Sequence, residues 1–547
     1  MRPSPHTASE HRTGDSCASQ VPAFESIFGY YPNSKVTDHN AIDLDQRDME
    51  AELSEATPDY VGAKAIYENG GHSKMYATIT YNAGASFPAY TKSARCSGTD
   101  ASGNLVNDMP LKSFLSAGAG SKSVKCIYPT SAVQASYVGC QVGGLPAGAQ
   151  LTSGCLVIAS DITITEAGLA TTVMAPSDMS AISQDAGRTL RGFATESTVT
   201  TKMYVNSNSC PGCPYTTYTR FYNYYGVYSY ANEIVTGALD ASTFEFPATP
   251  VANYVKSFPF ATYSDSQTRK ECTKKGTAYL NVWMYVIREF EDAIDDCQLG
   301  SIDNNYGSVH AWDEGVAFYT GSLEGTDGSG SGKLLSALAD KRCKNYGTCG
   351  ANGGEVSGTS KVNLDLLTEF YAGRNELFAG RCSSVRPILD RTISLMTIPL
   401  VQGALRYAYK MGALGPAGSG VDPAGSSDLL KLNAEGTIFT AAVLPLVASC
   451  SSDDAQTIWT QMQLGGGALT TFDKDAVKAA FEANYACLGI TCADVGALNA
   501  AGGLQAADAA TWGVPCTPPS PPPIAQTALV SRCPHHTVHA PVAPHRV

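Results

Sequence analysis

The stretch GSVHAWDEGVAFYTGSLEG, residues 307–325, has apolar side chains at the spacing of a helix. At about 100° per residue, the larger apolar side chains fall on one face, which we expect to pack in a core: Val309, Trp312, Val316, Tyr319 and Leu323. His310, Asp313 and Glu314 fall together on another face, within an arc of roughly 100°. Alanine and glycine share that arc and leave room for an ion or a second helix. The stretch therefore predicts a core helix with ligand-type side chains on one side.

The same helical period recurs through the second half of the chain and predicts a mainly α protein built around a helical bundle. Glycine-rich joints such as TDGSGSGK separate the periodic runs. Earlier in the chain, Gly, Ser and Thr are abundant, and short β-type runs such as YATITY lie among closely spaced cysteines. We therefore expect four parts: a polar lead-in (1–59), a β-rich, disulfide-stapled region (60–190), a helical metal-binding bundle (191–492) and a Pro/His-rich disordered tail (515–547).

Composition limits the classes of partner. The chain has 547 residues, 44% of them hydrophobic and only 16% charged, with a formal net charge of −13. A length of this order is too great for one core, so more than one domain is expected. The negative charge argues against nucleic acid and anionic membrane surfaces, which attract basic patches, and favours a metal ion as partner. No apolar run reaches the roughly 18 residues of a membrane span.

Seventeen cysteines are spread along the chain, and they predict a disulfide framework made in an oxidising compartment. Because the number is odd, at least one thiol is left over within a single chain. Cys210 and Cys213 form a CxxC without thioredoxin-like context, which favours a tight structural disulfide. The beginning, MRPSPHTASEHRTGDSCASQ, has no apolar signal-peptide core, so we expect an exported protein whose gene start is incomplete or mispredicted.

Two further helical runs carry acidic side chains. VNLDLLTEFYAGRNELFAGRC places Asp365, Glu369 and Glu376 on one stripe, again among alanine and glycine, and REFEDAIDD places Glu291 and Asp295 four residues apart. Carboxylates and an imidazole that project inward from facing helices are the usual ligands of iron or manganese in bundles. We therefore expect the ligand-type face of the first helix to lie against the stripe of the second and form a metal site.

Each set also has a plain structural interpretation. Charged residues are mostly exposed, so the first cluster and the acidic stripe are also explained as solvated helix faces. In the third run, Arg288 can pair with Asp292 one turn away. If the carboxylates are crowded together inside the protein, neutralising Glu314 in the metal-free protein is expected to stabilise it by relieving like-charge repulsion.

Four segments in order resemble one known family. They are VGAKAIYENGGHSKMYATIT (61–80), VIREFEDAIDDC (286–297), VHAWDEGVAFYTGSLEG (309–325) and FYAGRNELFAGRC (370–382). The chain resembles the algal iron-assimilation family, periplasmic proteins of green algae induced by low iron or high CO2. The His-Ala-Trp-Asp-Glu segment is also similar to the His-x-Trp-Asp-Glu-Ala segment of bacterial imelysin-like helical proteins, although their Gly-x-His-x-x-Glu order is not kept here.

This resemblance implies iron binding or capture in the periplasm or outside the cell, with no established catalysis. By position, His310, Asp313 and Glu314 occupy the family's acidic-histidine motif, and the acidic helix of residues 286–297 is shared. Captured iron would be handed to a reductase, oxidase or permease. Two alternatives stay open: a metal-dependent enzyme that uses the same face, and a non-catalytic cell-wall or matrix protein.

Overall fold

Helices dominate the computed structural model of the protein, which confirms the mainly α prediction. The structure describes residues 26–34, 36–70, 72–73, 75–91, 94–97, 109–111, 114–128, 133–134, 155–156, 161–185, 188–195, 210–302, 307–413, 427–465 and 472–516. The predicted tail from residue 517 onward lies outside these residues.

The helices are numbered here in chain order. The first four are α1 (Thr37–Asn40), α2 (Ile42–Glu52), α3 (Tyr60–Asn69) and α4 (Gly192–Thr195). The next six are α5 (Thr216–Tyr225), α6 (Tyr230–Asp240), α7 (Ser266–Gly276), α8 (Trp283–Gln298), α9 (Ser308–Thr320) and α10 (Leu335–Tyr346). The last six are α11 (Lys361–Phe378), α12 (Cys382–Ala413), α13 (Ser427–Ala448), α14 (Ser452–Met462), α15 (Lys474–Ala483) and α16 (Cys492–Val495). A π-helical turn, Thr277–Val282, joins α7 to α8.

The strands form small antiparallel sheets. They are β1 (Met75–Ala83), β2 (Arg95–Ser97), β3 (Met109–Pro110), β4 (Gly120–Tyr128), β5 (Val133–Gln134), β6 (Cys155–Leu156), β7 (Ile162–Thr165), β8 (Thr172–Met174), β9 (Met179–Asp185), β10 (Thr243–Phe246) and β11 (Lys256–Pro259). β1 lies between β4 and β9, with Ile79 opposite Val124 and Ile182. A second sheet has the order β3-β2-β7-β8, and β10 and β11 form a hairpin beside the bundle. The sheets before residue 190 enclose a small apolar core of their own, which contains Ile79.

The opening stretch forms α9 as expected, and one glycine explains how closely it packs. A Cβ added to Gly373 of α11 would lie 2.1 Å from the ring of Trp312, so only glycine leaves room for the indole. The indole Nε1 donates a hydrogen bond of 2.9 Å to the Phe370 carbonyl oxygen. Close helix packing therefore offsets the roughly 1 kcal/mol that a helical glycine costs. The helix ends at Thr320, so Gly321 and Leu323 lie beyond the face predicted for them.

The segment before residue 60 is more than a polar lead-in. Tyr30, Ile42 and Met49 are fully buried in the main apolar core, together with Tyr67 of α3, which begins the region predicted to be β-rich. Asp59 caps α3 by accepting hydrogen bonds from two backbone N–H groups. The apolar residues of α1 and α2 are few, and Ile42 and Met49 are buried because the bundle provides a surface for them. The helical part of the fold therefore starts well before residue 191.

The described residues up to Cys516 belong to one compact unit. The predicted boundaries between the four parts of the chain therefore stay predictions.

One stretch of α13, Leu429–Ala448, is long and apolar enough to cross a membrane by length and composition. An apolar run of this length was not predicted from the sequence. Because 89% of that stretch is buried inside the protein, packing in the bundle core accounts for its composition.

Disulfides fasten the helical part, as the cysteine content predicts. The five described pairs are Cys210–Cys213, Cys297–Cys382, Cys343–Cys349, Cys450–Cys487 and Cys492–Cys516. Cys96 is disulfide-bonded as well, and Cys272 is a buried free thiol. The local pairing predicted for Cys126, Cys140 and Cys155 concerns side chains outside the described part of the chain. The CxxC of Cys210 is a disulfide, as its context predicts.

Candidate metal centre

Three buried side chains converge on one carboxylate oxygen. Glu314 Oε1 lies 2.8 Å from His39 Nε2 and 2.9 Å from His310 Nε2. One donor atom from each of the three residues lies within 4.8 Å of the other two, and all three residues are at least nine-tenths buried. The structure therefore brings together two of the predicted ligands and one histidine that the sequence did not single out.

The helices explain how these donors meet. His310 and Glu314 are one turn apart on α9, so both project from the same face. His39 belongs to the short helix α1, whose imidazole packs edge-on against His310 and against Phe318, with ring centroids 5.7 Å apart in each case. Phe318 in turn contacts Phe193. Aromatic rings thus form one wall of the cluster and keep water from it, which strengthens the electrostatic interactions inside.

Cations surround Glu314. Besides the two imidazoles, the guanidinium of Arg188 donates a hydrogen bond of 2.7 Å to Oε2. Burial by itself would raise the pKa of Glu314, but His39, Arg188 and His310 outweigh it and hold that pKa well below its usual range. Glu314 is therefore ionised at neutral pH, with Oε2 held by Arg188 and Oε1 turned toward the imidazoles.

Arg188 continues the cluster into a chain of buried ion pairs on α8. It lies 3.5 Å from Glu289, which accepts a hydrogen bond of 2.5 Å from Arg288, and Arg288 lies 3.1 Å from Asp292. The predicted pairing of Arg288 with Asp292 is confirmed. Along this chain three carboxylates meet two guanidiniums, so a proton on an imidazole, or a metal cation, beside Glu314 would balance the charges of these groups.

Asp313 does not join the cluster, although it is adjacent in sequence. Its Oδ1 accepts a hydrogen bond of 2.5 Å from the Tyr30 hydroxyl, and its Oδ2 accepts from the backbone N–H groups of Asn33 and Ser34 and from the Ser34 hydroxyl, at 2.8–2.9 Å. Burial raises the pKa of Asp313 to about 6, against the effect of these bonds. Asp313 is thus a structural acceptor that fastens the segment leading to His39.

Replacing Tyr30 with phenylalanine tests that role. It removes one hydrogen bond to a buried carboxylate, which we expect to lower the free energy of unfolding by about 2 kcal/mol. Chemical denaturation of the metal-free protein measures the change. Tyr31→Phe is the matched control, because Tyr31 is 47% exposed. Equal stability of the two variants would contradict the role assigned to Asp313.

The acidic stripe of α11 does not face α9, contrary to the prediction. Asp365 pairs with Lys361 one turn earlier, and Glu376 forms two hydrogen bonds with Arg381, of 2.6 and 2.8 Å. Glu369 lies on the same partly exposed side, where burial raises its pKa. Gly373, which receives the indole of α9, lies on the neighbouring face of α11, so the acidic stripe lies to one side of this helix contact.

The acids of α8 also have other partners. Glu291 accepts hydrogen bonds of 2.9 and 2.7 Å from Arg386 of α12. Asp295 accepts from the Gly212 N–H at 2.8 Å and from the Tyr215 hydroxyl at 2.9 Å. Its carboxylate also lies beside the Cys210–Cys213 disulfide, where the sulfurs have no thiolate to offer a metal. Neither acid belongs to the cluster around Glu314.

The donor set around Glu314 suits iron. Two donors that bind one metal at about 2.1 Å and at right angles lie about 3.0 Å apart, close to the observed 2.8 and 2.9 Å. Two imidazoles and one carboxylate are also the set that binds ferrous iron in many non-heme proteins. Without metal, a protonated imidazole at these distances is attracted to the Glu314 carboxylate, so protons and a metal would compete for this cluster.

Sequence reasoning missed His39, Arg188 and Glu289. His39 sits in TDHNAIDLDQRDMEAE, a segment taken as a lead-in because its apolar residues are few. Arg188 follows β9 in the region predicted to be separate from the bundle. Glu289 belongs to the acidic run REFEDAIDD, in which the four-residue spacing points to Glu291 and Asp295 instead. A lone histidine beside a helix start is a weak signal, and nothing local links it to α9.

Residues 189–410 match the family model described as Fea1, low iron-inducible periplasmic protein. The matched segment contains His310 and Glu314, whereas His39 precedes it. No curated protein and no solved structure matches the chain, so the distant similarity to imelysin-like proteins stays a prediction. The family's periplasmic location agrees with the disulfides and supports a place outside the cytoplasm. Through this segment, the protein is similar to the low iron-inducible periplasmic proteins, as its motifs predict.

Proposed function

We propose that the protein takes part in iron assimilation outside the cytoplasm by binding iron through His39, His310 and Glu314. The observation that carries the proposal is the convergence of three donor atoms within 4.8 Å of one another in a buried, aromatic-walled cluster. The family supports the physiological context, since its members are induced by low iron. The ion-pair chain that includes Glu314 has one carboxylate more than it has guanidiniums, which supports a cation as the ligand.

Arg188 explains how the cluster would hold the metal. Its guanidinium fixes Glu314 Oε2, so the carboxylate would bind through Oε1 alone. Three protein ligands leave further coordination positions for water or for a group that delivers or removes the iron. Such a site fits capture and release, and the iron is cargo rather than a resident cofactor.

Metal content after loading tests the proposal. Purified protein is incubated with ferrous iron without oxygen, or with a ferric chelate, and is then desalted and analysed for metal. We expect about one iron per chain for the wild type and almost none for Glu314→Gln, because the amide is a much weaker ligand. Glu376→Gln is the control, since that carboxylate pairs with Arg381 at the surface. Equal iron in both variants would overturn the assignment of the site.

Acid should release the iron. Binding requires unprotonated imidazole, so occupancy is expected to fall as the pH drops through about 6.5, the usual pKa of histidine. The low pKa of Glu314 keeps the carboxylate charged over that range, so the imidazoles govern the release. Dialysis at stepwise lower pH, followed by metal analysis, measures it. Occupancy independent of pH between about 7.5 and 5 would contradict histidine ligation.

A further inference from the structure

A cavity of about 460 Å³ lies away from the candidate metal centre, between α5, α12 and the loop after α15. Thr216, Thr217 and Arg220 line it from α5, Arg386 and Ser394 line it from α12, and Leu488 lines it from the loop. A volume of this size accommodates a small organic molecule. The Cys450–Cys487 disulfide anchors the loop beside it, so one wall of the cavity is held in place by a covalent bond.

The charges in the cavity are partly neutralised. Both terminal nitrogens of Arg386 donate hydrogen bonds to the Glu291 carboxylate, at 2.9 and 2.7 Å, so that ion pair has little net charge. Arg220 has no ion pair among the described residues and is exposed. Asp390, which also lines the cavity, is one turn from Arg386. Within the described residues, the cavity therefore presents the guanidinium of Arg220 without an ion pair, and the exposed carboxylate of Asp390.

The beginning of α5 adds donors on the same side as Arg220. Within the described chain, no side chain caps this ten-residue helix at Tyr215, and its first two residues, Thr216 and Thr217, line the cavity. Free N–H groups in the first turn of a helix, and the dipole behind them, favour an anionic group. Arg220 lies one turn after Thr216, so its guanidinium, two hydroxyls and the helix start face one region.

The cavity lining also includes apolar side chains. Ile393, Leu446 and Leu488 contribute them. An inorganic anion would leave these side chains without a partner, whereas the carbon skeleton of an organic acid would cover them. Gly489 shapes this lining, because a Cβ there would lie 2.5 Å from the Ser394 hydroxyl oxygen.

From this arrangement, we propose that the cavity between α5, α12 and the 487–489 loop binds a small organic carboxylate, with its carboxylate on Arg220 and the start of α5. Asp390, which also lines the cavity, would favour a carboxylate that also carries an amino group. The proposal concerns a second site, and it does not depend on metal binding at Glu314.

Calorimetric titration of the full chain with succinate, glutamate and inorganic phosphate tests the proposal. We expect succinate, glutamate or both to bind, and Arg220→Gln to weaken that binding at least about 10-fold, as loss of a charge-assisted hydrogen bond does. Arg381→Gln is the matched control, because it removes the same charge at a surface site outside the cavity. Because Arg220 is exposed, we expect its variant to fold like the wild type, and the melting temperature of each variant verifies this.

Each possible result of the titrations either supports or overturns the proposal. Binding of glutamate but not succinate supports the proposal and assigns a role to Asp390, which Asp390→Asn would then abolish. Binding of phosphate alone would overturn the proposal of an organic ligand. Absence of binding by all three probes up to about 10 mM, or equal binding by wild type, Arg220→Gln and Arg381→Gln, would overturn it altogether.

Discussion

Replacing His39 with alanine should lower the affinity for iron by about 100-fold or more. The imidazole of His39 is fully buried, and its Nε2 lies 2.8 Å from Glu314 Oε1, so it is one of three side chains that can bind one metal. Loss of a partner that merely orients a ligand typically costs about 10- to 100-fold in affinity, and loss of a ligand costs more. Competition with a calibrated chelator measures the affinity of wild type and variant.

His72→Ala is the matched control for this result. His72 also contacts a carboxylate, with its Nε2 2.7 Å from Asp48 Oδ2, but it is partly exposed and lies outside the cluster. Its removal should leave iron affinity unchanged. If both histidine variants bind iron like the wild type, the cluster around Glu314 is an ion-pair network and iron binds elsewhere or not at all.

Glu314→Gln should destabilise the metal-free protein by about 3 kcal/mol, the low end of the cost of breaking a buried ion pair. The low end applies because the Arg188 side chain is 24% exposed, so water partly solvates the charge that is left behind. The sign is opposite to the stabilisation expected from a crowd of carboxylates. Glu314 is surrounded by Arg188 and two imidazoles, so neutralising it removes attraction rather than repulsion.

Unfolding of metal-free protein by denaturant measures this difference at pH 7. Glu376→Gln serves again as the control and should unfold like the wild type, because its carboxylate is at the surface. The loss of stability should shrink at low pH as the wild-type carboxylate takes up a proton. Because its folded-state pKa is depressed, the stabilisation is present above the ordinary pKa of glutamate, about 4.3, and is lost below it. A more stable Glu314→Gln variant at pH 7 would mean that like charges dominate the site.

The sequence by itself determined the local features. The period of α9 placed His310 and Glu314 on one face, and that placement holds because four residues are about one turn of any α-helix. The mainly α class and the disulfide framework followed from period and cysteine content in the same way. The family resemblance needed only the order of short motifs, and residues 189–410 confirm it.

The tertiary structure decided which polar faces meet. The stripes on α9 and α11 look alike in sequence, but the indole of Trp312 fits only against Gly373. Asp365 and Glu376 lie to one side of this contact and pair with local basic residues. A helical period shows that a face is polar, but it does not show what lies opposite. His39 lies in the cluster because Asp313 accepts hydrogen bonds from Tyr30 and Ser34 and so holds the segment that leads to His39. Such long-range contacts depend on how whole elements pack, and no spacing along the chain records them.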